Sequence, residues 1–242
     1  MRIIARLDLK GKNLIKGIMY EGLNVIGSLE KFAKQYYLEG ADELIFIDTV
    51  ASLYERIQIT EIIHKSTNEI FIPITVGGGI KNINPVKEIF NSGADKVAIN
   101  THGIKNPNFL KQISENYGSQ ALVVSIQAKK RNNFWEVFTE NGREPTGINV
   151  LDWCKVVEDK GAGEIFLSSI DNDGLLKGPD FNLINAVSKQ IKIPLIVSSG
   201  FRDVKDVLEL KKNNFCEAVA IGSAFHYNKI KIKFLKNQIS KN

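Results

Sequence analysis

Short apolar runs alternate with amphipathic stretches along the chain. The apolar runs are rich in β-branched residues, and the stretches between them repeat apolar positions at helical spacing. Near-continuous apolar strands separated by helices are typical of parallel strands buried on both faces. The predicted strands are Ile3–Asp8, Glu43–Asp48, Ile72–Val76, Lys96–Asn100, Leu122–Gln127, Glu164–Ser169, Ile193–Val197 and Ala218–Ile221. The predicted helices include Leu29–Leu38, Tyr54–His64, Pro85–Phe90, Val150–Asp159 and Val204–Lys211.

Eight such strands favour a closed barrel over an open sheet. A (β/α)8 barrel takes about 250 residues, which the 242 residues of this chain match. No Gly-x-Gly-x-x-Gly motif follows the first strand, which argues against a dinucleotide-binding fold. We therefore predict an α/β protein, a single (β/α)8 TIM barrel over residues 1–242, with a small hairpin inserted at about 131–145.

The chain also contains an internal repeat. The run GADELIFID returns 121 residues later as GAGEIFLSS, and IPITVGGGI returns at the same offset as IPLIVSSGF. The first strand, IIARLD, aligns with LVVSIQ of the fifth strand, which places Asp8 opposite Gln127. We therefore predict two similar half-barrels, at about 1–120 and 121–242, which suit a substrate with two similar ends.

Composition and charge argue against membrane, metal, cofactor and nucleic-acid functions. No apolar run approaches the roughly 20 residues of a membrane span, and no signal peptide precedes the first strand, so we expect a cytoplasmic protein that does not contact a membrane. Two cysteines and three scattered histidines show no metal-binding spacing, so we expect neither a metal nor a cofactor. The basic tail (residues 229–241) predicts a solvated helix, without the exposed aromatics typical of nucleic-acid binding. The net charge of +5 suits an anionic, phosphorylated small-molecule substrate.

Glycine-rich loops follow several predicted strands, where barrel active sites lie. Glycine lets backbone N–H groups approach a phosphate closely, although it also serves in tight turns. Its recurrence at equivalent strand ends of both halves favours two phosphate sites. The candidate phosphate-binding residues are Gly78, Gly79, Asn100 and Thr101 in the first half, and Gly174, Gly200, Gly222 and Ser223 in the second.

Charged and polar side chains also end the strands. Asp8 is a candidate general acid–base at the barrel mouth, unless it acts only as a loop cap or ion-pair partner. Asp48 and Asp171 are placed to orient substrate hydroxyls, or serve as turn residues. The candidate substrate-contacting residues are Lys16, Asp48, Ser169, Asp171 and Asp173.

Four charges of alternating sign occur at strand starts, at the opposite end of the barrel. They are Arg2, Glu43, Lys96 and Glu164. Because this end of a barrel usually contributes stability, these residues by themselves favour a structural ring of salt bridges.

Together these motifs resemble the HisF family, the cyclase subunit of imidazole glycerol phosphate synthase. The resemblance covers nearly the whole chain and is carried by RIIARLDLK, IPITVGGGI, GADKVAINT and SIDNDG. It implies a lyase subunit that docks a HisH-like glutaminase at the barrel bottom and channels ammonia to a bisphosphorylated substrate at the mouth. It also implies that the four charged strand starts gate the ammonia path, and that the glycine loops hold phosphate.

Three positions depart from the family pattern. Arg6 stands where the family has cysteine, and Ser199 where it has glycine. Gln127 stands where the family has its second catalytic aspartate, the partner of Asp8. A glutamine cannot take a proton, and general acid–base catalysis is worth about 10²–10⁴-fold in rate.

Three functions follow from these departures. The favoured prediction is a specialised paralog that supplies ammonia for acetamidino-sugar formation in surface-polysaccharide synthesis, with a sugar amidotransferase as a further partner. The first alternative is a true cyclase subunit, which makes imidazole glycerol phosphate and aminoimidazole carboxamide ribotide in histidine biosynthesis. The second is a non-catalytic ammonia conduit and scaffold.

Overall fold

The computed structural model describes residues 1–49 and 57–241, and its centre is a closed barrel of parallel strands. The strands are β1 (Arg2–Lys10), β2 (Asn13–Ile18), β3 (Glu21–Ser28), β4 (Glu43–Asp48), β5 (Ile74–Gly77), β6 (Lys96–Ile99), β7 (Leu122–Arg131), β8 (Phe134–Thr139), β9 (Glu144–Asn149), β10 (Glu164–Ser169), β11 (Leu195–Ser198) and β12 (Ala218–Ile221). The described helices are α1 (Leu29–Leu38), α2 (Ile57–Thr67), α3 (Ile83–Asn91), α4 (Thr101–Lys105), α5 (Pro107–Tyr117), α6 (Val150–Asp159), α7 (Phe181–Ser188), α8 (Val204–Lys212), α9 (Ser223–His226) and α10 (Ile232–Lys241), with a 3₁₀ turn at Ser119–Ala121.

Eight of these strands form the barrel, in the order β1-β4-β5-β6-β7-β10-β11-β12, and β12 pairs in parallel with β1 to close it. The predicted (β/α)8 barrel is confirmed. β5 and β11 begin two residues later than predicted, because Pro73 and Pro194 precede them and proline has no N–H to donate. The predicted helix Tyr54–His64 corresponds to α2, which runs on to Thr67, and its first three residues lie outside the described residues.

Antiparallel hairpins extend two barrel strands beyond the mouth. β7 continues into β8 and β9, and β1 continues into β2 and β3, which the sequence did not predict. Asp8 pairs with Ile15 across the first hairpin, and Gln127 pairs with Phe138 across the second. The internal repeat therefore includes a mouth hairpin in each half.

Strand alternation sorts the side chains of β1. Ile3, Ala5, Leu7 and Leu9 pack outward into the core shared with the helices. Arg2, Ile4, Arg6 and Asp8 alternate with them and point into the barrel, because successive side chains of a strand face opposite sides. Ile4 belongs to an apolar layer that crosses the barrel interior, together with Ile45, Ala98, Val123, Phe166, Ile196, Ala218 and Ala220. The interior is thus charged at the bottom, apolar in the middle and polar at the mouth.

No helix in the described ranges is long and apolar enough to span a bilayer.

Candidate active site

A large cavity lies at the barrel mouth, at the ends of β4 to β7, and we call it the open cavity. Its volume is about 520 Å³. It is lined by the four predicted first-half phosphate residues, by Asp48 and Gln127, and also by Lys81, Lys105, Ser125, Glu140 and Arg143. Its depth reaches Ile47 and Ala98, beside the apolar layer. Three cationic side chains against two carboxylates make this cavity suited to an anion.

Glycine and amide groups shape the wall of the open cavity. Gly78 has φ +113°, and a Cβ there would lie 2.2 Å from the carbonyl oxygen of Asp48, so no larger residue fits. The Asn100 Nδ2 donates to the carbonyl oxygens of Ser125 (2.9 Å) and Phe138 (3.3 Å). The Thr101 hydroxyl donates to Asn100 Oδ1 at 3.1 Å. The side chains of Asn100 and Thr101 therefore brace the wall.

Two buried oxygens in this half of the barrel have no hydrogen-bond partner among the described residues. One is Gln127 Oε1, which belongs to a residue that lines the open cavity. The other is Oγ1 of Thr75, which lies deeper in the barrel and pairs in register with Lys96. An unpaired buried oxygen carries a desolvation cost that a small hydrogen-bond donor entering the barrel would relieve.

The second half of the mouth contains a much smaller cavity, which we call the small cavity. It is lined by the predicted phosphate residues Gly174, Gly200, Gly222 and Ser223, and by Arg6, Lys16, Asp173 and Ser199. Its volume is about 20 Å³. Since one water needs at least about 10–15 Å³ measured in this way, the small cavity has room for roughly one water.

Four buried charged side chains fill the space beside the small cavity, and we call them the quartet: Arg6, Asp8, Lys16 and Asp173. Arg6 Nε donates to Asp8 Oδ1 at 2.9 Å, and Arg6 Nη1 lies 3.4 Å from Asp173 Oδ1. Lys16 Nζ lies 3.1 Å from Asp8 Oδ2 and 2.8 Å from Asp173 Oδ2. Each carboxylate therefore contacts both cations, and the quartet has no net charge.

Residues of four other strands and loops hold the quartet in place. Arg6 Nη1 lies within 3.3 Å of Ser198 Oγ, and the Ser199 hydroxyl donates to Asp173 Oδ1 at 3.1 Å. The Arg6 guanidinium also lies 5.2 Å from the ring centroid of Tyr20 and 5.6 Å from that of Phe166, within the range of cation–π attraction. Asp173 and Lys16, two of the predicted substrate residues, thus have protein partners.

The quartet fixes the charge of Asp8. Burial by itself raises the pKa of this carboxyl, but the charges of Arg6 and Lys16 outweigh it and lower the pKa to about 2. Burial lowers the pKa of Arg6 and of Lys16, and the neighbouring carboxylates more than reverse this effect, so both pKa values are raised. A carboxylate with a pKa of about 2 is a weak base at neutral pH.

Two predicted substrate residues lie outside both cavities. The Ser169 hydroxyl donates to Asn172 Oδ1 at 3.3 Å, and Asp171 Oδ2 accepts a hydrogen bond from the backbone N–H of Lys130 at 2.7 Å. The first contact joins the last residue of β10 to the loop that follows it, and the second braces this loop against the extension of β7.

At the barrel bottom the four charged strand starts form a closed ring, which we call the basal ring: Arg2, Glu43, Lys96 and Glu164. Arg2 contacts both glutamates, and Lys96 Nζ lies 3.0 Å from Glu43 Oε2 and 2.8 Å from Glu164 Oε2. All four side chains therefore lie across the bottom of the barrel interior. Sequence position predicted that they meet there, and the structure brings them together.

Sequence reasoning missed the structural role of Arg6 and the cations of the open cavity. The alternation of β1 places Arg6 on the same face as Arg2 and Asp8, which was the available signal for an inward guanidinium. Lys81 and Arg143 lie on loops and Lys105 ends α4, away from the strand ends where barrel active sites are expected.

A closed parallel barrel with polar groups at its mouth and a charged ring at its bottom defines the chain as a (β/α)8-barrel protein. The family model described as "Histidine biosynthesis protein" matches residues 2–231. Relatives named imidazole glycerol phosphate synthase subunit HisF include one from Legionella pneumophila, 50% identical over 85% of this chain and 98% of that protein. Those from Natranaerobius thermophilus (40% identical, over 99% of this chain and 95% of the relative) and Dictyoglomus thermophilum (41%, over 98% and 94%) match nearly end to end. The chain belongs to the HisF family of histidine biosynthesis proteins.

Proposed function

We propose that this chain is the ammonia-accepting synthase subunit of a glutamine amidotransferase complex. The observation that carries the proposal is the basal ring, which lies at the bottom of an interior whose other end is the open cavity. In this function the ring is the ammonia gate, and opening it requires Lys96 to leave Glu43 or Glu164.

The route from the ring to the mouth runs along the first half of the barrel. Thr75 lies next to Lys96 in the β5–β6 register, and Ala98, Ser125 and Gln127 follow towards the mouth. The unpaired oxygens of Thr75 and Gln127 are suited to accept hydrogen bonds from ammonia. Arg6 lines the small cavity and not the open cavity in which this route ends.

A HisH-like glutaminase is the proposed partner at the barrel bottom. Leu38 and Phe71 lie in the segments that lead into β4 and β5, at the same end as the basal ring, and their exposed fractions are 73% and 77%. Large exposed apolar side chains around a charged opening are typical of protein interfaces.

For the reaction at the mouth, the names of the relatives favour imidazole glycerol phosphate synthesis over the specialised paralog that the sequence predicted. We therefore place first the histidine-pathway reaction, in which ammonia and a bisphosphorylated nucleotide give imidazole glycerol phosphate and aminoimidazole carboxamide ribotide. The open cavity, with its excess of cationic side chains, would hold the first phosphate of that substrate.

The quartet and Gln127 favour a second candidate, a changed reaction at the mouth. Asp8 is held as a weak base by Arg6, and Gln127 cannot exchange a proton. Both members of the catalytic pair are thereby altered, which supports ammonia supply to a partner enzyme such as a sugar amidotransferase. A pure conduit would not need the cation-lined open cavity.

Complementation of a histidine auxotroph that lacks the cyclase subunit distinguishes the two candidates. Growth with the wild-type chain, lost in Asp8→Asn, supports the histidine-pathway reaction. No growth with the wild type, but growth with the double variant Arg6→Cys/Gln127→Asp, supports a changed mouth. Soluble expression of each variant, measured on the same cultures, excludes misfolding as the cause of a negative result.

A further inference from the structure

The two cavities of the mouth occupy equivalent places in the internal repeat. The alignment of β1 with β7 pairs Arg6 with Ser125, and the 121-residue offset pairs Ser199 with Gly78 and Ser198 with Gly77. Ser125 and Gly78 line the open cavity, while Arg6, Ser198 and Ser199 line the small one. The open cavity therefore serves as an internal control for what the second half would look like with small residues at these places.

The larger side chains of the second half account for the difference in volume. The open cavity, which has Ser125 at this place, has a volume of about 520 Å³. The small cavity, which has Arg6 there, has a volume of only about 20 Å³, and the Arg6 side chain is 3% exposed. The Ser198 hydroxyl accepts a hydrogen bond from Arg6, and the Ser199 hydroxyl donates one to Asp173. Ser199 holds this contact at φ +81°, a strained conformation for a residue other than glycine. Several residues that contact one another thus fill the small cavity together.

The two cavities also differ in whether their cationic side chains are paired with carboxylates. Lys16 and Arg6, the cations of the small cavity, are each shared between Asp8 and Asp173. In the open cavity Lys105 pairs with Glu140 at 3.1 Å, whereas Lys81 and Arg143 have no ion-pair partner within the described ranges. An anion is therefore attracted to the open cavity and not to the small one.

We propose that Arg6 is a specificity-determining residue that makes the barrel mouth one-sided. The ligand is held through a single phosphate, in the open cavity, and the second half of the mouth gives no phosphate site. This inference deepens the second candidate of the proposed function, the changed reaction at the mouth, and rests on it only in taking the ligand to be phosphorylated. A substrate bearing two terminal phosphates would keep one of them outside the small cavity.

The first test counts the phosphates bound by the wild-type chain. Inorganic phosphate is titrated calorimetrically, and its position is read from a crystal grown at saturating phosphate. The expected result is one phosphate per chain, in the open cavity near Lys81 and Arg143. Two phosphates, one phosphate at Gly174 and Gly200, or no binding at all would overturn the proposal.

The second test opens the small cavity. The double variant Arg6→Ser/Asp173→Asn removes one cation and one anion, so the buried cluster stays neutral. It is expected to bind two phosphates, the second at the backbone N–H groups of the Gly200 and Ser223 loops. Asp173→Asn alone, which keeps Arg6, is expected to bind one. A double variant with native circular dichroism that still binds one phosphate contradicts the role of Arg6.

A third variant keeps the proposal testable if the double variant does not fold. Ser125→Arg places the same plug in the open cavity, and phosphate binding is expected to be lost. Lys81→Ala is expected to weaken phosphate binding about fivefold, whereas Lys111→Ala, an exposed lysine outside both cavities, leaves it unchanged. Unaltered binding in Ser125→Arg overturns the proposal. These readouts do not involve the basal ring or complementation, so failure here and failure of the proposed function are distinguishable.

Discussion

Arg6 and Asp8 are two residues apart on β1, so the strand presents a cation and an anion to the barrel interior side by side. The guanidinium fills space that a cysteine or serine would leave open, and its charge keeps Asp8 ionised. A single long side chain thereby changes both the volume and the basicity of the mouth. Replacing Arg6 would reverse both effects, but an acid–base pair also needs a residue that exchanges protons in place of Gln127.

His226 is a second buried ionisable residue close to the mouth, and it makes stability depend on pH. The Tyr36 hydroxyl lies 2.7 Å from His226 Nδ1. Burial lowers the pKa of His226 to about 4, from an ordinary value of 6.5. Because the unfolded chain takes up this proton first as the pH falls, the free energy of unfolding should drop between pH 6.5 and pH 4, by about 3 kcal/mol.

Urea unfolding of the wild type and of His226→Gln at pH 7, 5.5 and 4.5 measures this contribution. The wild type should lose stability across the range, and the variant should lose much less. The contribution of Asp8 has a separate window, since its pKa of about 2 lies below the ordinary 3.8 and its stabilisation is lost only as the pH falls below about 4. Parallel pH profiles of the two proteins would contradict the assignment to His226.

At the scale of elements, the barrel strands followed from their apolar runs, but one hairpin did not. The turn between β2 and β3 places Met19 at φ +50° and Tyr20 at φ +66°, without the glycine or asparagine that usually marks such turns. The turn between β8 and β9 contains Asn141 and Gly142, also at positive φ, and its hairpin was visible in the sequence. The difference lies in turn chemistry that local propensity does not encode.

For the candidate site, too, the sequence predicted some features and could not predict others. Strand ends could be located from the pattern, so the sequence predicted the glycines and several of the polar residues that line the two cavities. The partners of Arg6 could not be predicted, because Ser168 and Asp173 are more than 160 residues away along the chain and meet it only when the barrel closes. Asp171 follows the end of β10, yet its carboxylate accepts a hydrogen bond from the backbone of β7, which depends on the local backbone path.

The loop after β10 anchors the first hairpin, and Gly174 is central to that contact. Its φ is +75°, and a Cβ would lie 2.5 Å from the carbonyl oxygen of Gly17, while the Met19 N–H donates to the Asp173 carbonyl at 2.9 Å. Gly174→Ala should therefore lower the free energy of unfolding by about 2–3 kcal/mol, from backbone strain and the clash together.

The matched control is Gly22→Ala, in the hairpin that the Gly174 loop contacts. Gly22 has φ +61° with no atom within 4 Å of an added Cβ, so only the backbone term of about 1 kcal/mol applies. Chemical denaturation of both variants gives the comparison. Equal losses would mean that contact between the hairpin and the β10 loop contributes nothing.

At the scale of the whole molecule, the two ends of the barrel have separate roles in the proposed function. Lys96→Ala removes one cation from the basal ring and leaves the mouth intact. Glutamine-dependent product formation should fall at least several-fold, whereas formation supported by ammonium salts should change little. Equal effects on the two nitrogen sources would show that the ring acts on folding rather than on ammonia transfer.

The exposed apolar side chains at the bottom give an independent test of the partner face. Phe71→Asp should weaken binding of the glutaminase by about tenfold or more, because an aromatic anchor is replaced by a charge. Val25→Asp changes an equally exposed apolar side chain (64%) on the mouth hairpin and should leave binding unchanged. Dissociation constants from calorimetry decide between them, and similar losses in both variants would exclude the barrel bottom as the docking face.

The paired hairpins and the 121-residue repeat also bear on how this barrel changes over time. A duplicated fold has an equivalent cavity in each half. Side chains can therefore fill one cavity while the other still binds the ligand. Folding is then the main constraint on the residues around the quartet, whereas both folding and ligand binding constrain those around the open cavity. Saturation mutagenesis scored separately for folding and for function should therefore give different results for the two halves.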